Sequence, residues 1–395
     1  MCLLLLGFAV LVIVLTPWHP LPGPHVPPDP AADFTPAQIA RETAFHDDIR
    51  PWGLTGLFVG LLVPAVVGFT SIGARLIDRL RRRRWIVQVV AATIGMTALV
   101  TLVSLPIAAR EHVILRRFGL STQGWSGWWS DVGRGYAVGL VTTLVVLLVV
   151  MGLARRFPRR WWIGAASIGA ALVVGGSFAY PVVVEPVFNN FHSLPAGDLR
   201  TEILAMAVRD QQPLDDVLVA DASRRTTAEN AYVSGFGASR RLVLDDTLLA
   251  KDTPAEVLVV AAHELGHAKN DDVLTGTIEG ALAVAAAMCA LFLLLGDRVA
   301  GARSVPLLLA AYVVVSFAVS PLSNLISRHV EARADAHALA LTRDPETFVQ
   351  AQRDLALSGL DDLRPSKLLY VLFFTHPSTP ERIAMARQWE RQHAP

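Results

Sequence analysis

Apolar residues in this chain gather into long runs instead of alternating with polar ones. A spanning helix needs roughly 20 mostly apolar residues. Seven segments read as candidates: Met1–Thr16, Gly53–Ile72, Trp85–Ile107, Tyr136–Leu153, Trp162–Tyr180, Val273–Leu295 and Val305–Ile326. The first is short, but no basic residue precedes it and no small-x-small cleavage site follows, so it reads as an anchor rather than a signal peptide. Trp85, Trp161, Trp162 and the Trp125–Trp129 cluster fall at segment ends or in a loop, where an interfacial aromatic belt would sit.

Polar stretches separate these runs. A Pro-rich segment, Pro17–Pro30, precedes Thr35–His46, which reads as an amphipathic, partly interfacial helix. The two main polar regions are Val184–Asp272 and Ser327–Pro395, which divides the chain into an N-terminal membrane domain (1–183) and a second domain (184–395) holding the last two spans. Within the first polar region Ala196–Asp210 looks helical and Asp216–Ala220 is a short apolar strand. Asn230–Gly235 and Arg240–Asp245 frame a Gly-containing turn, a hairpin signal. Thr253-Pro254-Ala255-Glu256 is a capping box with proline at the first helical position, and it starts a helix that runs to about Asn270.

Composition supports the membrane reading. Of 395 residues 53% are hydrophobic and 17% charged, against about 25% charge in soluble domains. Disorder is excluded, and a net charge of +1 gives no sign of a nucleic-acid partner. Arginine outnumbers the three lysines (Lys251, Lys269, Lys367) by far, and Ala and Val abound, which suggests a GC-rich bacterial source and its plasma membrane. The only cysteines, Cys2 and Cys289, lie in apolar runs, so a disulfide framework and a cysteine zinc site are both ruled out.

The chemistry sits on the capped helix as His263-Glu264-Leu265-Gly266-His267. Residues i and i+4 share a helix face with Cβ atoms about 5–6 Å apart, so both imidazoles can hold one Zn²⁺. Glu264 is turned about 100° away, where it flanks the metal and can take a proton from water. A catalytic zinc needs a third protein ligand. The segment Ser327–His337 offers Glu331 and Asp335, again i and i+4, so that one carboxylate can bind zinc and the other orient a ligating histidine. Spacing alone leaves His329 and His337 in competition, with a solvated charged face as the plain alternative.

These residues resemble the membrane-embedded gluzincins, and within them the CAAX prenyl protease 1 (Ste24-type) group of the M48 peptidases. Further matches are Glu185–Phe191, Asn230–Gly235, Arg240–Leu249 and Thr375–Arg382, in the family's order and spacing. The resemblance implies a membrane all-α bundle of about seven helices with a small α/β metalloprotease domain. It implies one Zn²⁺ per chain held by His263, His267 and Glu331, with Asp335 behind the ligands and Glu264 as base. It assigns His376 and Arg382 to the tetrahedral intermediate and Asn230, Ala231 and Tyr232 to a substrate-binding edge strand. On residue pattern alone His376-Pro377 is a helix-leading turn, Asn230 a strand-end residue and Arg382 an ordinary helix start.

The expected activity is zinc-dependent endoproteolysis by a monomer in contact with membrane lipids, acting on peptides that are lipidated or membrane-bound. A quality-control protease of the HtpX-like kind is the alternative substrate reading. A non-catalytic zinc-binding scaffold or transporter is the alternative of another class, and the intact Glu264 argues against it. Glu279 lies within the sixth span, where it either lines a water-filled chamber or approaches the interface. For orientation, loops Thr70–Arg84, Ala154–Arg160 and Gly296–Ser304 hold 12 Arg on one side, against 6 in Pro17–Trp52 and Ala108–Gly135 on the other. The positive-inside rule therefore puts Val184–Asp272 outside the cytoplasm, whereas the family resemblance implies a cytosolic zinc domain. The side stays open at this level.

Overall fold

A computed structural model describes residues 7, 10, 12–80, 82–235 and 240–394. Most of the first candidate span and the tip of the predicted hairpin lie outside them. Six helices among the described residues are long and apolar enough to cross a membrane. In no case is more than 22% of the most apolar window buried, so their outer faces are left to lipid, as helices with internally satisfied backbones allow.

The helices run longer than the apolar runs. Helix α1 (Pro36–Phe69) joins the expected interfacial helix and the second span in one element, capped by Thr35 and Gln38. Helices α2 (Trp85–Arg117), α3 (Trp125–Arg156) and α4 (Trp161–Ala179) follow. Trp125–Trp129 therefore form the first turns of α3, not a loop. A strand β1 (Phe191–Ser193) that the sequence pattern does not reveal leads to α5 (Asp198–Arg209) and β2 (Asp216–Ala220). Then come β3 (Ala231–Ser234), β4 (Arg241–Asp245) and α6 (Pro254–Lys269), followed by α7 (Asp272–Leu295) and α8 (Val305–Thr342). Helices α9 (Pro345–Gly359), α10 (Lys367–Phe373) and α11 (Thr379–His393) complete the chain. In α8 the last span and the helix carrying Glu331 and Asp335 are continuous.

The four strands are ordered β1-β2-β4-β3. The inner pair β2–β4 is parallel and the outer pairs are antiparallel. Apolar side chains of the inner strands, such as Leu242 and Leu244, pack with Ile203, Leu265, Leu339 and Phe348 in one core. A separate core within the bundle centres on Val89, Met151, Trp161 and Val305. Edge strand β3 faces the helix that carries the histidines, because its other side is already paired to β4.

The segment Glu185–Phe191 ties bundle to sheet. Arg225 holds it by donating to Asn189 Oδ1 at 2.5 Å and to Asp131 Oδ2 of α3 at 2.6 Å. The α2–α3 loop adds further hydrogen bonds to residues 223–227, among them Thr122 N to Arg225 O at 3.1 Å and Thr226 Oγ1 to Leu120 O at 3.0 Å. The strand that follows thus hangs from the membrane helices.

Candidate metal centre

Helix α6 begins as its cap predicts: Thr253 N donates to Glu256 Oε2 at 2.7 Å. Its apolar face is buried in the core, which turns His263 and His267 toward α8. Gly266 sets the approach. A Cβ there would lie 3.1 Å from Ala334 Cα, so a larger residue would push α8, and Glu331 with it, away from the histidines.

Three donor atoms converge. His263 Nε2 lies 3.2 Å from His267 Nε2 and 3.2 Å from Glu331 Oε2, and His267 Nε2 lies 3.6 Å from Glu331 Oε1. A tetrahedral ion with bonds of 2.0–2.1 Å spaces its ligands by about 3.3 Å, so the set fits such an ion. Both Nδ1 atoms face carboxylates, Asp335 Oδ1 at 2.8 Å and Asp272 Oδ2 at 2.9 Å. Those bonds keep the proton on Nδ1 and leave each Nε2 lone pair facing inward. Glu331 Oε2 is buried and accepts no hydrogen bond, an orphan that a cation would satisfy.

Electrostatics agree. Burial alone would lower the affinity of His267 for a proton, yet Asp272 and Glu331 outweigh it and push the imidazole up to about 10. His263 is raised in the same way, burial being overcome by Asp335 and Glu331. The surrounding carboxylates thus favour positive charge at this place, which a bound cation would supply in place of protons. Burial raises Glu264, with the two histidines pulling partly the other way.

The structure brings most of the sequence candidates to this one place. Glu264 Oε2 accepts from Val233 N–H of β3 at 3.1 Å. His376 Nε2 lies 3.3 Å from Glu331 Oε2, with its Nδ1 2.9 Å from Thr375 Oγ1. Arg382 clasps Asp335 with two N–H groups, Nε at 2.8 Å, so its fork is engaged with a carboxylate and not turned freely into the cleft. His337 bonds Asp210 Oδ2 at 3.0 Å and His329 packs its ring on Trp18, so neither reaches the centre. Glu279 lies on α7 about two turns from Asp272, half-buried.

The edge strand is offset from expectation. Asp245 N donates to Asn230 O at 3.0 Å, so by antiparallel alternation residues 230, 232 and 234 turn their backbone to β4. Ala231 and Val233 turn theirs to the cleft. Tyr232 instead sends its hydroxyl to Glu185. Two side chains were not singled out from sequence, Asp272 and its ion-pair partner Arg333. The run Asn270-Asp271-Asp272 after the second histidine was the available turn signal.

A cavity of about 530 Å³ opens over the histidines, Glu264, Glu331 and His376. A second of about 720 Å³ adjoins it through Asn230, Gln352 and Arg382, and runs along Ile49, Leu54 and Leu57 of α1 to Phe373 of α10.

Comparison with known proteins gives the family. Residues 193–390 match peptidase family M48, and residues 52–190 match the CAAX prenyl protease N-terminal family of five membrane helices. The chain is similar to the uncharacterized metalloprotease YhfN of Bacillus subtilis, at 32% identity over 77% of this chain and 74% of that protein. It is also similar to CAAX prenyl protease 1 of Saccharomyces cerevisiae, at 25% identity over 73% of this chain and 69% of that one. Its fold matches the crystal structure of S. mikatae Ste24p with a TM-score of 0.78, 20% identity and 97% and 96% of the two chains covered.

Proposed function

The chain belongs to peptidase family M48 as a multi-pass membrane metalloendopeptidase, and from that membership we propose that zinc held by His263, His267 and Glu331 serves peptide hydrolysis in the cleft beneath β3. The observation that carries this is the set of three inward-facing donor atoms within 4.8 Å of one another beside Glu264. Zinc, when bound, supplies Lewis acidity that polarises a carbonyl and acidifies water.

The remaining work belongs to the chain. Glu264, anchored by Val233 N–H, takes the proton from the attacking water and passes it to the leaving amine. Its buried carboxyl has a raised proton affinity, which suits a group that must receive a proton and release it. An extended substrate adds to β3 through the outward backbone groups of Ala231 and Val233. His376 donates from Nε2 to the developing oxyanion when Thr375 holds its Nδ1. Asp335 fixes the tautomer of His263, and Arg382 fixes Asp335, which makes Arg382 a positioning residue.

The larger cavity supports a substrate with a bulky apolar or lipid-bearing group, since α1 and α10 line it with aliphatic and aromatic side chains. Saturating the protein with zinc should give one ion per chain and chelator-sensitive cleavage of an unfolded, apolar polypeptide. Cleavage that persists with the metal removed would end the proposal.

A further inference from the structure

The arginines far from the metal centre form the strongest charged feature that peptide hydrolysis leaves unused. They lie in three loops that the fold gathers at one end. Arg155 Nη1 donates to Ala300 O at 3.1 Å and stacks over Trp85. Trp161 Nε1 donates to Gly296 O at 3.2 Å, and Arg303 pairs with Asp78 at 3.0 Å. The other loops meet at the metal end, where Arg50 bonds Asp362 at 2.7 Å and Arg134 donates to Val187 O at 3.1 Å.

The two ends differ in charge and in how it is used. The far loops, Thr70–Arg84, Ala154–Arg160 and Gly296–Ser304, carry 12 Arg and only 2 Asp. Pro17–Trp52 and Ala108–Gly135 at the metal end carry 6 Arg against 7 acidic residues. Among the described residues of the far loops only Arg303 has a carboxylate within ion-pair distance. At the metal end Arg50, Arg117 and Arg134 all have one. The short helix Ser71–Asp78 buries Gly73 and Ile77 against the bundle and leaves Ile72 and Leu76 exposed beside Arg75, the disposition of a helix lying in the headgroup layer. Unpaired guanidinium groups there match anionic phospholipid headgroups. Short arginine-rich loops stay on the cytoplasmic side.

We infer that the arginine face rests on the anionic cytoplasmic leaflet and that the metal centre opens on the opposite, non-cytoplasmic side of the membrane. The substrate class follows, resting on the metallopeptidase reading: exported polypeptides, or the outward-facing segments of membrane proteins, reach the cleft. A C-terminus lipidated in the cytoplasm does not.

Labelling decides the orientation without reference to catalysis. In a Cys2→Ser, Cys289→Ser background, single cysteines replace exposed Ala196 or Glu390 at the metal end, and exposed Pro158 or Gly301 at the arginine end. With an impermeant maleimide on intact cells, Ala196→Cys and Glu390→Cys should react, and Pro158→Cys and Gly301→Cys should react only after lysis. The reverse pattern, reaction at all four, or reaction at none before lysis would each overturn the inference. A protein that labels as expected yet cleaves nothing would keep the orientation and remove the peptidase reading instead.

Discussion

The two metal-facing histidines are gripped by one device built twice, at different depths. On His263 the grip is Asp335, whose side chain is 0% exposed and is forked by Arg382. On His267 it is Asp272, 13% exposed and paired with Arg333 at the rim of the cleft. The inner clasp joins α6, α8 and α11 in the protein interior, whereas the outer one joins α6 and α8 to the first residue of α7. Water can replace a lost partner at the rim. It cannot do so inside, where removing one member of an ion pair strands the other in a low-dielectric site.

A change between the clasps that touches neither sets the reference. Glu264→Gln should keep one metal per chain and an unaltered melting temperature while turnover falls about 10²–10⁴-fold, the usual share of a general base. Metal analysis beside a cleavage assay checks both halves. His376→Ala should come next, with kcat reduced on the order of 10²-fold and metal retained, since an oxyanion donor acts mainly in the transition state. An unchanged kcat would return His376 to a turn role.

The clasps themselves follow. Asp335→Ala should weaken metal affinity about 10–100-fold and cost about 3–5 kcal/mol of stability, because Arg382 is left buried and unpaired. Adding Arg382→Leu should restore much of the stability and none of the affinity. Asp272→Ala should lie at the low end, about 10-fold in metal affinity with about 1 kcal/mol or less in stability, given its contact with solvent. Chelator competition and denaturant titration on both variants would show it, and equal stability losses would refute the depth argument. Gly266→Ala acts on both clasps, because α8 must give way by a few tenths of an ångström; it should lower metal affinity less than Asp335→Ala does.

How much was legible depended on distance along the chain. The capping box, the i,i+4 histidines and the i,i+4 pair Glu331/Asp335 are local, and the structure keeps every one in place. The choice between His329, His337 and Glu331 was not, since it depends on Asp210 and Trp18, which lie more than a hundred residues away in sequence. Asp272 escaped notice for another reason. Asp271 takes a left-handed conformation at φ 49°, and that one residue folds the start of α7 back onto His267. The register of β3 also went unread, because a strand of four residues carries too little alternation to say which backbone groups face out. Hydropathy placed helix ends where charge begins, while the backbone of α1 and α8 runs on through the change.

That continuity in α8 has a mechanical consequence. At 1.5 Å per residue Glu331 stands about 39 Å along the rod from Val305, against a hydrocarbon layer about 30 Å thick. The helix is a ruler, and it fixes the height of the centre above the lipid by residue number. A thinner bilayer lifts the cleft away from the headgroups and a thicker one draws it down. On the proposed reading, membrane thickness then bears on which stretch of a substrate reaches the edge strand.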